Sequence, residues 1–153
     1  MSIEVTTITM PQRIIYGVSG KSSDKAISKD IPRLSKKYYD VIGKAPGSVL
    51  PFFVLSQNYS ETTKKFDLFI GGQTEHEHLE EYELPEGIYG KITVKPKLGF
   101  VWNLAIGEAK RYFYTKWLPA SGYSALNMEY EFHSKKSIKK NPQIDLLFAI
   151  SKR

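Results

Sequence analysis

At 153 residues the chain is long enough to bury a core of its own. Hydrophobic residues at 41% and charged residues at 25% exclude wholesale disorder, and the lack of cysteine excludes a disulfide framework, a thiolate nucleophile and any cysteine-based zinc site. The net charge of +6 is scattered over pairs such as Lys36-Lys37, Lys64-Lys65 and Lys139-Lys140, with no helix-turn-helix, zinc-finger or RNA-binding motif to organise it, so direct nucleic-acid binding is not expected.

In chain order, Ile3 to Met10 alternates polar with apolar and resumes as Arg13 to Val18, which predicts a long strand bent near Pro11. Ser22-Ser23-Asp24 offers helix caps. Ile27, Ile31, Leu34, Tyr38 and Val41 then recur at helical spacing, with Pro32 either in the first turn or at a kink. After a turn at Gly43 to Gly47, Val49 to Leu55 and Phe66 to Ile70 read as a strand pair. The order then repeats. His78 to Leu84 and Ile88 to Val94 form a second interrupted strand, and a helix follows from about Leu98 to Lys116. Its apolar stripe is Trp102, Ile106, Ala109, Phe113 and Trp117, and Pro119 and Gly122 end it. Leu126 to His133 and Ile144 to Ile150 close the chain as strands around the basic loop Ser134 to Asn141.

Short strings echo the same duplication: Met10-Pro11-Gln12-Arg13-Ile14-Ile15-Tyr16-Gly17 against Leu84-Pro85-Glu86-Gly87-Ile88-Tyr89-Gly90, and Phe66 to Ile70 against Ile144 to Phe148. The expected architecture is α+β, one domain over residues 1–153. It consists of duplicated strand-helix-strand-strand modules (about 1–75 and 76–153) forming a mostly antiparallel sheet with two covering helices and a central cleft. A seam between two such modules is a natural place for a concave ligand site. The 10 tyrosines, 8 phenylalanines and 2 tryptophans could line it, although filling a core is the commoner use of aromatics.

No stretch approaches the roughly 20 apolar residues of a membrane span, and no signal-peptide pattern opens the chain, so a soluble, cytoplasmic protein is expected. Walker, dinucleotide-binding and nucleophile-elbow motifs are missing, and no cofactor is expected. His76-Glu77-His78 is the one metal-like cluster, and it lacks a third ligand nearby, so no metal is expected either.

The run Tyr112-Phe113-Tyr114-Thr115-Lys116-Trp117-Leu118-Pro119-Ala120-Ser121-Gly122-Tyr123 resembles the aromatic-x-x-Trp-Leu-Pro-x-Ser-Gly-Tyr signature of GyrI-like small-molecule-binding domains. These are also called AraC-type or bacterial transcription-activator effector-binding domains. Leu84-Pro85-Glu86-Gly87-Ile88-Tyr89 is similar to the family's Ile-Pro-x-Gly-x-Tyr strand entry, and Tyr130-Glu131-Phe132-His133 to its apolar-Glu-x-Tyr strand, with His133 in place of the usual tyrosine. The resemblance implies an aromatic pocket between the modules, holding one acidic residue and suited to apolar, often cationic ligands. With no DNA-binding domain alongside it, the chain is expected to be a stand-alone sensor, carrier or enzyme, with gyrase or a separately encoded regulator as the protein partners to consider.

Under that resemblance Glu131 is the central acid. Alternation puts Glu129, Glu131 and His133 on one strand face and Met128, Tyr130 and Phe132 on the other. Facing water is the ordinary fate of such polar residues; in a cleft, Glu131 would attract a cation, and desolvation would raise its pKa toward general acid or base duty. Asp67 and Asp145 interrupt their strands at equivalent places; Asp145, on the strand expected to pair with that of Glu131, could supply a second acid, although a solvent-facing or turn-bonding carboxylate is the commoner role for both. Trp102 is the candidate pocket wall, while Trp117 packs the helix end. Tyr16 and Tyr89, matched in the repeat, and Tyr112 complete the set. Three functions fit: a ligand-binding module, a hydrolase of cyclopropane-bearing alkylating natural products with Glu131 steering water, or a protein-interaction inhibitor of the gyrase-inhibitor type.

Overall fold

Eight strands and two main helices follow from these patterns in the computed structural model, which describes residues 3–95, 102–138 and 141–153. The strands are β1 (Thr6–Met10), β2 (Arg13–Ser23), β3 (Phe52–Gln57), β4 (Lys65–Gly72), β5 (Glu80–Leu84), β6 (Gly87–Val94), β7 (Tyr123–His133) and β8 (Ile144–Lys152). Helix α1 spans Ile27–Ile42 and α2 spans Trp102–Tyr112; α2 is prolonged by a π-turn, Phe113–Trp117, and a last turn, Leu118–Ala120. The predicted start of α2, Leu98 to Val101, lies outside the described residues, as do Lys139 and Lys140.

All strands join one antiparallel sheet in the order β1-β6-β8-β7-β3-β4-β2-β5. Exchanging β1 with β5, β2 with β6, β3 with β7 and β4 with β8 only reverses this order, so the sheet has a pseudo-two-fold axis between β3 and β7. The expected bend near Pro11 is a crossing between halves. β1 pairs with β6 and β5 pairs with β2, so Pro11-Gln12 and Pro85-Glu86 carry the chain from one half of the sheet to the other. Proline suits these joints because it donates nothing to a ladder.

Both helices pack on one face. Leu34, Tyr38 and Tyr39 of α1 cover Val18, Val54, Leu68 and Ile70, while Ala109 and Phe113 of α2 cover Ile92, Leu146, Phe148 and Ile150. The other face curls around a core of Ile15, Phe53, Leu55, Tyr89, Tyr130 and Leu147. Pro32 sits in the second turn of α1, not the first, exposed on the solvent side where its missing N–H is cheapest to lose. The serines before α1 do not cap it; Ala26 takes that position with no side-chain bond. Gly43 ends the helix in the left-handed conformation (φ 69°). The π-turn carries the stripe onward, so that Phe113 stacks on Phe148 with ring centroids 3.9 Å apart and on Trp117 at 5.2 Å.

A bulge in β7 sets where the polar residues of that strand fall. Ala125 pairs with Ile150 and Glu129 with Phe148, so the strand gains two residues on β8 and keeps its faces. Asn127 in the bulge is left-handed (φ 58°), and its side chain bonds the Tyr59 backbone twice, accepting from the N–H at 2.8 Å and donating to the carbonyl at 3.0 Å. Asn127→Ala should therefore lower stability by about 1–2 kcal/mol in urea melts, since alanine resists this conformation and supplies neither bond. An unchanged midpoint would show that the bulge does not depend on the side chain.

Candidate ligand-binding cleft

The helix-covered face leaves a cleft between α1 and α2, floored where β3 meets β7. Across that seam Phe52 pairs with His133, Val54 with Glu131 and Ser56 with Glu129. Glu129, Glu131 and His133 share the face of Leu146 and Phe148, toward the helices. At the His133 end lies a cavity of about 340 Å³. Its walls are Tyr39 and Ser35 of α1, Phe52, Trp102, the α1–β3 loop at Pro46, Gly47 and Leu50, and Ser137 and Ile138 beyond β7. Tyr39 stacks on Phe52 at 5.5 Å, and Phe52 meets the His133 ring edge-on at 5.8 Å. Ile138, 68% exposed, places an apolar side chain at the mouth.

The polar end is a bonded network. His133 Nε2 lies 3.0 Å from Glu131 Oε1. Lys110 Nζ, reaching in from α2, is 2.8 Å from Glu129 Oε2, and the Tyr114 hydroxyl donates to Glu129 Oε1 at 2.8 Å. Burial pushes the Glu131 carboxyl up, but the His133 hydrogen bond and the Lys110 and His133 charges outweigh it, and its pKa is lowered. The expected raised value is thereby corrected: residue types reveal burial but not the partners that offset it. Burial likewise opposes the Lys110 charge, yet the two glutamates outweigh it and raise its pKa. Tyr114 is pushed upward by burial first and then by Glu129, so it stays a protonated donor.

This geometry gives folding a pH dependence with a definite sign. A carboxyl whose folded pKa is lowered stabilises the fold at pH above its unfolded value, about 4.3, and that contribution is lost as pH falls through the folded value. Wild type should therefore lose stability below about pH 4, and Glu131→Gln should lose less over the same range, read from urea midpoints at several pH values. Parallel profiles would show that Glu131 carries no such linkage.

The other sequence candidates fall elsewhere. Asp145 pairs with Phe132, not Glu131, so it points to the helix-free face, where it accepts from the Thr93 hydroxyl at 2.8 Å. It is not a second acid beside Glu131. Asp67 also faces away from the helices, held by Lys21 and by Asn58 Nδ2 at 2.8 Å. Tyr89 is buried in the helix-free core with its hydroxyl on the Pro85 carbonyl at 2.7 Å. Tyr16 lies on the opposite face from Tyr89, its hydroxyl 3.2 Å from Glu75, so the two are not symmetry mates and neither lines the cavity. Tyr112 is half-buried and makes none of the network's bonds, which come from Tyr114. Trp102 lines the cavity, while Trp117 stacks between Phe113 and Tyr123.

Sequence reasoning missed Lys110 and Tyr114. Both flank the apolar stripe of α2 on one side, one helical turn apart, and that placement was the available signal. A second groove of about 380 Å³ lies on the helix-free side near Ser19, Gln57, Phe69 and Tyr82. Although larger, it is the weaker candidate. Glu80 is bonded to Ser19, Tyr82 to Gln57 and Lys21 to Asp67, so its polar groups already satisfy one another. Among the described residues no group of three or more His, Asp or Glu could hold a metal ion, and no helix is long and apolar enough to cross a membrane.

No family model and no curated protein sequence matches the chain. Its fold is nevertheless shared with solved structures. An integron cassette protein from Vibrio cholerae superposes with a TM-score of 0.69 at 15% identity, covering 96% of this chain and 95% of that one. SAV2435 bound to tetraphenylphosphonium gives 0.67 at 10% identity, covering 99% and 94%. The EcmrR C-terminal domain gives 0.63 at 16% identity, covering 100% of both chains. At such identities the likeness is one of fold alone: an α+β fold built on one antiparallel sheet with helices on one face.

Proposed function

We propose that this chain is a small-molecule-binding module that takes an apolar, aromatic cation into the cleft between α1 and α2. The observation that carries this reading is the cavity itself: Tyr39, Phe52 and Trp102 form aromatic walls, and His133 joins them to the Glu131 carboxylate. Glu129 and Glu131 bring two carboxylates to this face, and Lys110 is the lysine bonded there. A protein of net charge +6 thus keeps a pair of carboxylates in a partly desolvated cleft, where a cation gains most. Aromatic faces add cation–π attraction. The tetraphenylphosphonium held by SAV2435, on the same fold, is a ligand of this class.

Tetraphenylphosphonium should quench tryptophan fluorescence saturably, through Trp102, and leave by mass spectrometry unchanged. Glu131→Gln should weaken its binding roughly 10- to 100-fold, the loss expected when a charge-assisted contact becomes neutral. Affinity that ignores Glu131 would remove it as the centre of recognition. The hydrolase alternative calls for one extra result: a cyclopropane-bearing alkylator gaining the mass of one water. A gyrase-inhibitor role would use an exposed surface and be indifferent to both Glu131 and the cavity.

A further inference from the structure

Both oxygens of Glu129 are occupied by groups from α2, Lys110 on one and Tyr114 on the other. Glu131 bonds His133 through one oxygen, and among the described residues its other oxygen has no hydrogen-bond donor. The cleft's acids are thus engaged by the protein itself, and the ammonium among their partners is that of Lys110. Its side chain is 27% exposed, so a path to solvent exists along which a flexible four-carbon stem can swing out.

Resting on the cleft reading above, we propose that Lys110 is a resident counter-cation: it holds Glu129, on the same strand face as Glu131, until a ligand cation displaces it, and so sets which cations bind. A tethered ammonium acts at an effective concentration in the millimolar range or above. A free primary amine or small quaternary ion offers no better chemistry than the lysine and loses that competition. A bulky lipophilic cation also contacts Tyr39, Phe52 and Trp102, and those contacts decide in its favour. The ligand class is therefore narrowed to large delocalised or aryl-substituted cations, with polyamines and small ammonium ions excluded. Affinity is reduced by the fraction of molecules in which Lys110 holds the site, so removing the lysine raises it.

The test titrates wild type, Lys110→Met and Glu131→Gln with tetraphenylphosphonium and with tetramethylammonium. Lys110→Met is expected to bind tetraphenylphosphonium about tenfold tighter or more and to acquire measurable tetramethylammonium binding. Gain in the variant where wild type is silent also supports the proposal. Equal or weaker binding in Lys110→Met, with Glu131→Gln impaired, overturns it and leaves the cleft reading standing; no binding by any of the three overturns both. Should Lys110→Met fold poorly, wild type decides. Trace acetylation of Lys110, read by peptide mass spectrometry, should speed up at saturating tetraphenylphosphonium, and an unchanged or slower rate refutes displacement.

Discussion

Phe113→Ala should cost about 3–5 kcal/mol of stability, as expected when a wholly buried aromatic is removed and the space does not refill. The Phe113 ring lies against Phe148 of the sheet and against Trp117 and Tyr114, so it anchors the end of α2 on its half of the sheet. Its ring also approaches Gly90, where an added Cβ would come within 2.7 Å of it. The loss should reach function as well, because Tyr114, its neighbour in the π-turn, holds Glu129. A urea melt compared with Phe113→Leu checks this: leucine should recover part of the loss, and a deficit under 1 kcal/mol for alanine would show that α2 is held elsewhere.

Gly17→Ala should be at least as damaging, about 3 kcal/mol or more, for a different reason. Gly17 and Gly71 pair across β2 and β4 at so close an approach that a Cβ on Gly17 would collide with the Ile70 carbonyl oxygen and lie 2.7 Å from the Gly71 Cα. The obstacle is backbone, so no rotamer change relieves it. Gly107, in the exposed middle of α2, has nothing within 4 Å of a Cβ. Gly107→Ala should therefore stabilise by roughly 0.5–1 kcal/mol. If both substitutions behave alike in thermal melts, the close approach of β2 and β4 is not what requires glycine.

Period-two alternation and helical stripes made nearly every element legible, since one-sided burial writes itself into a sequence as a repeat. Pairing partners were less so. A pattern that marks β1 as a strand cannot say that it lies on β6, in the other half, and the crossing at Pro11 looks like a bend in the sequence. Likeness between two strings does not fix the face on which a side chain falls. Tyr16 and Tyr89 align only if the repeat is shortened by one residue, and a one-residue slip turns a strand side chain to the opposite face. It is Ile15 that shares the buried cluster of Tyr89. Asp145 shows the same limit, because its face relative to Glu131 depends on the β7–β8 register, in which it lies opposite Phe132. The cleft floor was legible from the alternation of Glu129, Glu131 and His133. Its partners Lys110 and Tyr114 were not, for they come from a helix whose placement over β7 is a tertiary fact. The cavity's loop walls, Pro46, Gly47 and Ile138, carry no periodicity at all.

NMR mapping of the labelled protein during a tetraphenylphosphonium titration locates the ligand site residue by residue. Saturable shifts confined to Tyr39, Phe52, Trp102 and His133, fading in Glu131→Gln, are the predicted result. Shifts gathered instead around Ser19, Phe69 and Tyr82 on the helix-free side would contradict it.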